Sequence, residues 1–181
     1  MPSIFTKIDL QMTGFYDNKS SKLIDNSLEE GVIALGGTNV QSKPIIMKEY
    51  DMSLTIKGKI DSLILFEDNT IGIIDFKTTH ISKEKVLLYF NQLSGYSLCL
   101  EHNDENVNKK YEVKTLGLAI FEPDSFSQDS TRASLSGEFK WQEIPQDKPK
   151  FKDFLKEVAE LLSQPQLEPN NKCNFCKYKH S

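Results

Sequence analysis

The chain has 181 residues, 38% of them hydrophobic and 27% charged, enough to bury one ordinary core, and its formal net charge of −4 excludes a protein that coats nucleic acid by bulk positive charge. No stretch approaches the roughly 20 apolar residues of a membrane span, and the N-terminus lacks the basic-then-apolar pattern of a signal peptide. Three cysteines, two of them in a terminal Cys-x-x-Cys, do not make a disulfide framework, so the expectation is a cytoplasmic protein with no membrane partner, folded as a single domain over 1–181.

Residues 3–16 read as an amphipathic helix, with Ser3 as N-cap, Ile4, Ile8, Met12 and Phe15 at helical spacing, and Gly14 weakening the last turn. Residues 17–43 mix polar residues with Gly31, Gly36 and Gly37 and predict a short helix or irregular segment, so 1–43 is expected to be an N-terminal helical region. From Pro44 the period changes to two, with strands expected at 44–50, 52–60, 61–67 and 70–78. Residues 83–101 return to helical spacing, with Ser82 as N-cap and Val86, Leu87, Phe90, Leu93 and Leu98 as the apolar face. Tyr111 to Phe121 and Leu135 to Ile144 read as strands joined by a polar loop from Pro123 to Arg132. Asp147 caps a closing helix whose stripe of Phe151, Phe154, Leu155, Val158, Leu161 and Leu162 belongs to core packing and ends near Pro165. A tail over 165–181 carries Cys173, Cys176 and His180, and there is no internal repeat.

Chemistry concentrates on one hairpin. Gly58-Lys59-Ile60-Asp61 opens one strand and Ile73-Ile74-Asp75-Phe76-Lys77 closes the next, with Glu67-Asp68-Asn69-Thr70 as the turn. Side chains alternate along a strand, so Asp75 and Lys77 share a face, and Asp61 joins them only across an odd loop. A three-residue loop centred on Asp68 pairs Asp61 with Asp75, and one centred on Asn69 pairs it with Lys77. An even Asp68-Asn69 turn separates them unless a bulge intervenes.

Burying an unpaired carboxylate is expensive, so acids that interrupt apolar runs need an explanation, and a divalent cation supplies one. Asp61, Asp75, the backbone carbonyl of Phe76 and waters make an oxygen site suited to Mg²⁺ or Mn²⁺, beside which Lys77 can position or help deprotonate an attacking water. A salt-bridged structural cluster is the alternative. Gln92 and Tyr96, four apart on the next helix, lie on one face and either contact a substrate phosphate or brace the site. Phosphate contacts need only a local stripe, and Lys148, Lys150, Lys152 and Lys156, or Lys172, Lys177 and Lys179, offer one unless they are solvated faces.

Over roughly residues 44–100, the Gly-x-x-Asp strand, Asp75-Phe76-Lys77 and Gln92-x-x-x-Tyr96 resemble the PD-(D/E)xK nuclease superfamily, in the branch that includes the nuclease domain of RecB-like helicase-nucleases. The resemblance implies an α/β fold, a central mixed β-sheet flanked by helices, the restriction-endonuclease-like core. It also implies metal-dependent hydrolysis of DNA phosphodiester bonds, in repair, recombination or defence, with Asp61 and Asp75 on the metal, Lys77 serving the water, and Gln92 and Tyr96 toward the substrate.

Many relatives carry a further ligand before the sheet. No histidine precedes His80 here, and Glu29, Glu30 or Glu49 would have to substitute or are surface acids. Cys173 and Cys176 resemble the terminal half of the iron–sulfur site of some relatives, and the same pair could instead contribute to a zinc site. Full ligation lacks an upstream half, because Cys99 reads as a small buried hydrophobe. Two other readings follow from these departures: a catalytically weak or inactive module that binds nucleic acid or a helicase or repair partner, and a structural protein with an accidental acid cluster.

Overall fold

The computed structural model describes residues 4–80, 83–102 and 110–165. The chain runs α1 (Ile4–Tyr16), a single 3₁₀ turn (Ser21–Leu23), β1 (Gly31–Gln41), β2 (Ile45–Met47), a second 3₁₀ turn (Lys48–Tyr50) and β3 (Met52–Leu54). It continues through β4 (Lys57–Phe66), β5 (Ile71–Thr78), α2 (Lys83–Glu101), β6 (Val113–Asp129), β7 (Arg132–Glu143) and α3 (Lys148–Ser163). The expected N-caps Ser3 and Ser82, the cysteines Cys173 and Cys176, His180, and the lysines Lys172, Lys177 and Lys179 lie outside the described residues.

One sheet in the order β1-β4-β5-β6-β7 organises the molecule, with β2 and β3 forming a separate pair. Every neighbour in it is antiparallel except β5 and β6. That parallel step requires a crossover, which α2 supplies. The α/β fold with a mixed sheet and flanking helices is therefore as expected from the sequence.

β5 lies at the centre, and its burial explains its composition. Ile71 and Ile73 face a core with Phe90 and Leu93 of α2 and Phe151 and Leu155 of α3, whereas Ile74 and Phe76 face Tyr16 of α1. Strands covered on both faces read as continuous apolar runs, and each fully buried isoleucine contributes roughly 1.5–3 kcal/mol. Tyr16 stacks on Phe76 at 5.6 Å between ring centroids. Thr78 at the end of β5 donates to Asp9 Oδ1 of α1 at 2.7 Å, which pins the helix to the strand.

The structure departs from the sequence expectations in several places. The segment expected to be helical or irregular contains β1, an eleven-residue strand. Its glycines are demanded by close approach: a Cβ on Gly31 would lie 2.6 Å from Ile64, and one on Gly36 would lie 2.2 Å from the Asp61 carbonyl oxygen. The two strands expected at 52–60 and 61–67 divide elsewhere: β3 ends at Leu54, and 57–66 is one continuous strand with Asp61 in its middle. The expected strand 44–50 breaks after Met47 into a 3₁₀ turn that Asp51 closes at φ 49°. The polar loop expected from Pro123 to Arg132 is instead the outer part of the β6–β7 hairpin, turned at Ser130 with φ 49°.

The helix faces also shift. In α1 the core contacts come from Met12, Thr13 and Tyr16, while Ile4 and Phe15 are 62% and 56% exposed. Leu87 in α2 and Leu161 and Leu162 in α3 are exposed as well, so those apolar stripes are narrower than their periodicity suggests. Asp147 does cap α3, accepting from the Lys150 N–H at 2.9 Å. None of the helices among the described residues is long and apolar enough to cross a membrane.

Candidate active site

The β4–β5 turn decides where the acids go. Asn69 N–H donates to the Phe66 carbonyl at 3.2 Å, Phe66 N–H donates to the Thr70 carbonyl at 3.1 Å, and Asn69 sits at φ 64°. This is a three-residue loop centred on Asp68, a type I turn followed by a left-handed residue. Asp68 stabilises it by accepting from the Thr70 N–H at 3.0 Å and hydroxyl at 2.6 Å. Those hydrogen bonds, with Lys114 beside them, lower its carboxyl to about 2.

The resulting register pairs Ser62 with Ile74 and Leu65 with Ile71, and its next step sets Asp61 opposite Asp75. The odd-loop condition is met with no register shift along the β4–β5 ladder. A bulge does occur on the other side of β4, where β1 shifts register between Leu35 and Thr38. Gly36 and Gly37 there stand opposite Asp61, with Gly37 at φ 68°.

The side chains converge. Asp75 is 2% exposed, and its Oδ2 lies 2.7 Å from the Lys77 ammonium. Oδ1 accepts from Gln92 Nε2 at 3.2 Å, and the same amide donates to the Tyr96 hydroxyl at 3.0 Å. Asp61 Oδ2 accepts from the Phe76 N–H at 3.2 Å, so its carboxylate leans onto β5. Thus Asp61, Asp75, Lys77, Gln92 and Tyr96 occupy one place, contributed by β4, β5 and α2.

Two further residues belong to this arrangement: Tyr89, which the sequence reading did not single out, and Gly58, which it named only as the start of the Gly-x-x-Asp strand. Tyr89, one helical turn before Gln92, has its ring 5.7 Å from the Lys77 ammonium. Its spacing of three and seven from Gln92 and Tyr96 was the available signal. Gly58 is the second, because a Cβ there would lie 2.3 Å from the Tyr96 ring, so glycine lets Tyr96 lie against β4.

The electrostatics are those of a buried acid short of donors. Burial pushes the Asp75 carboxyl up to about 6; Lys77 opposes that rise, while nearby Asp61 adds to it. Burial works to lower the Lys77 pKa, but Asp75 and Asp61 outweigh it and hold the ammonium above its ordinary value. Asp75 Oδ2 is fully buried and has no aligned hydrogen bond, only the ion-pair contact with Lys77. A hard divalent cation fits this donor set of two carboxylates and backbone oxygen.

No third acid, histidine or cysteine joins a metal-binding group among the described residues. Glu29 pairs with Lys114, and Glu30 accepts from Ser20 at 2.6 Å. Both precede Gly31, which pairs with Phe66 at the turn end of β4, five residues from Asp61 and so roughly 16 Å away. Glu49 borders a separate cavity of about 580 Å³ between α2, α3 and the 3₁₀ turn, which includes none of the clustered residues. The lysines of α3 do not form one free stripe: Lys148 pairs with Glu101 at 2.8 Å, Lys156 with Asp153 at 3.3 Å, and Lys150 lies 4.8 Å over the Phe90 ring. Cys99 is buried, as expected, with its thiol pushed up to about 11 by burial.

No curated protein matches the chain. Among solved structures, one described as "Crystal structure of SSO0001" is similar at a TM-score of 0.51 and 16% identity, covering 97% of this chain and 68% of that one, a likeness of fold alone. The family model of the PD-(D/E)XK nuclease superfamily matches residues 18–181, most of the chain and all of the clustered residues. On that match, the chain belongs to the PD-(D/E)XK nuclease superfamily.

Proposed function

We propose that the protein is a Mg²⁺- or Mn²⁺-dependent nuclease that hydrolyses DNA phosphodiester bonds, acting as a RecB-like nuclease domain in repair, recombination or defence. The observation that carries this reading is the convergence of Asp61, Asp75 and Lys77 on a buried hairpin where one Asp75 oxygen lacks an aligned donor. Asp61 and Asp75, with the Phe76 carbonyl, would hold the cation. When bound, it would polarise a phosphoryl oxygen and lower the pKa of the attacking water.

The chain's own residues do the rest. Gln92 holds Asp75 Oδ1 and so fixes the carboxylate's rotation, and Tyr96 fixes the amide in turn. Lys77, 2.7 Å from Asp75 Oδ2, would position the attacking water or help deprotonate it and offset charge growing on the phosphate. Purified protein should cut DNA only with added Mg²⁺ or Mn²⁺, and Asp75→Ala should abolish cutting while circular dichroism stays native. Cleavage that survives in Asp75→Ala would refute the assignment.

A second reading, a weak or inactive module that binds nucleic acid or a helicase or repair subunit, is favoured by the lack of a third acidic or imidazole ligand among the described residues. DNA binding without turnover in any divalent metal would select it. For the tail we propose Cys173 and Cys176 as half of a zinc or iron–sulfur site; metal analysis of Cys173→Ser/Cys176→Ser against the parent protein tests this, and equal zinc and iron contents would exclude it.

A further inference from the structure

Gln92 and Tyr96 have two sides. One side holds Asp75, through the 3.2 Å contact from Gln92 Nε2. The other lines a second cavity, of about 460 Å³, that opens between α2, α3 and the connection from β3 to β4. The far walls are apolar and aromatic, with Ile56 from the connection and Phe151, Phe154 and Val158 from α3. The Phe151 and Phe154 rings stack at 6.0 Å with 29° between planes. Polar groups sit at the edges: Lys57 is exposed, and Asn91 lies next to Gln92.

Such walls gain nothing from a phosphate, whose charge needs water or donors. A nucleotide joined to the phosphate at Asp61 and Asp75 carries one other large group, its base, which is flat and weakly polar on its faces. Aromatic and apolar walls take bases by stacking with little regard to sequence, an exposed lysine beside them suits the backbone, and side-chain amides suit the base edge. Resting on the nuclease reading above, we infer that this cavity is a nucleobase subsite that receives the base flanking the scissile phosphate. A base within a duplex is paired and stacked on its neighbours and must be extruded to enter. The substrate class is therefore unpaired DNA, as a single strand or a frayed end.

The test uses end-labelled single-stranded oligonucleotides that carry one abasic residue at successive positions, the matching duplex, and Mn²⁺. Cleavage next to the abasic residue should fall about ten-fold in kcat/KM, chiefly through KM, and the duplex should be cut more slowly than the single strand. Val158→Trp fills the cavity from α3, and Leu162→Trp, at a cavity-lining side chain already 61% exposed, serves should the first not fold. Either should bring the normal substrate down to the abasic rate while Mn²⁺ affinity by calorimetry is unchanged. Equal rates for abasic and normal substrates at every position, or a duplex cut as fast as a single strand, would overturn the subsite. If no metal cuts any substrate, the nuclease reading fails instead, and fluorescence anisotropy decides the subsite: unaltered single-strand affinity in both tryptophan variants overturns it.

Discussion

Two antiparallel hairpins of the same sheet, β4–β5 and β6–β7, differ in almost everything but their pairing. In the first, six successive residues from Ile71 to Phe76 are buried; Asp75 among them is held by Lys77 and Gln92, and Asp61 on β4 by the Phe76 N–H. In the second, every residue from Asp124 to Glu138 is exposed, including Phe126 at 67% and its cross-strand partner Leu135 at 51%. Backbone pairing alone thus says little about what a hairpin can do. Burial from both faces turns a carboxylate into a group with a displaced pKa and a need for partners, while the same side chain in the outer arm remains solvated.

The largest effect expected from this contrast is on catalysis. Lys77→Met should lower metal-dependent cleavage by about 10²- to 10⁴-fold, whereas Lys140→Met, in an exposed ion pair with Glu138 on β7, should leave it within about two-fold. Steady-state rates on one oligonucleotide compare the two, and equal losses would remove the distinction between the hairpins.

The next effect is on stability against pH. Asp75 has its folded pKa raised from 3.8 to about 6, so between those values the folded state binds more protons than the unfolded one, and stability falls as pH rises. Metal-free protein should lose up to about 3 kcal/mol from pH 4 to 7 through this group, a loss that Asp75→Asn removes and Mn²⁺ offsets. Urea denaturation at several pH values, with and without Mn²⁺, measures it. A flat profile would show that Asp75 is not strained by burial.

Glycines sharpen the comparison further. A Cβ at Gly58 would strike the Tyr96 ring at 2.3 Å, and one at Gly137 in the arm would strike the Glu122 carbonyl oxygen at 2.1 Å. Each alanine substitution should destabilise by about 1–3 kcal/mol, but only Gly58→Ala should also reduce cleavage, since Tyr96 holds Gln92 and Gln92 holds Asp75. Thermal melts and rates on the same samples separate the two effects. The smallest expected change is Phe126→Ser, which should alter stability by less than about 0.5 kcal/mol and leave cleavage intact, read by the same assays.

Legibility in the sequence followed the same division. The β4–β5 hairpin, α2 and α3 were recognisable because their signals are local: alternation into a turn, helical spacing, and Asp147 ahead of its helix. Asp61, Asp75 and Lys77 could be nominated on that basis, Gln92 and Tyr96 joined them through the family resemblance, and the structure brings all five together. β1 was hidden because Gly31 and Gly36, which lower strand propensity, are required by how closely β4 approaches. The β6–β7 arm was hidden because exposed strands carry no apolar alternation to read.

By itself, then, the sequence determined which residues could share one site and that Asp61 could meet Asp75 only across an odd loop, since side-chain parity along a strand is a local property. The structure resolved which odd loop forms, through the turn's own contacts, Asp68 bridging to Thr70 and Asn69 turning left-handed. It also decided that Asp75 would be buried beneath α2 while Glu29, Glu30 and Glu49 remained elsewhere, because depth and distance depend on which surfaces pack against the hairpin.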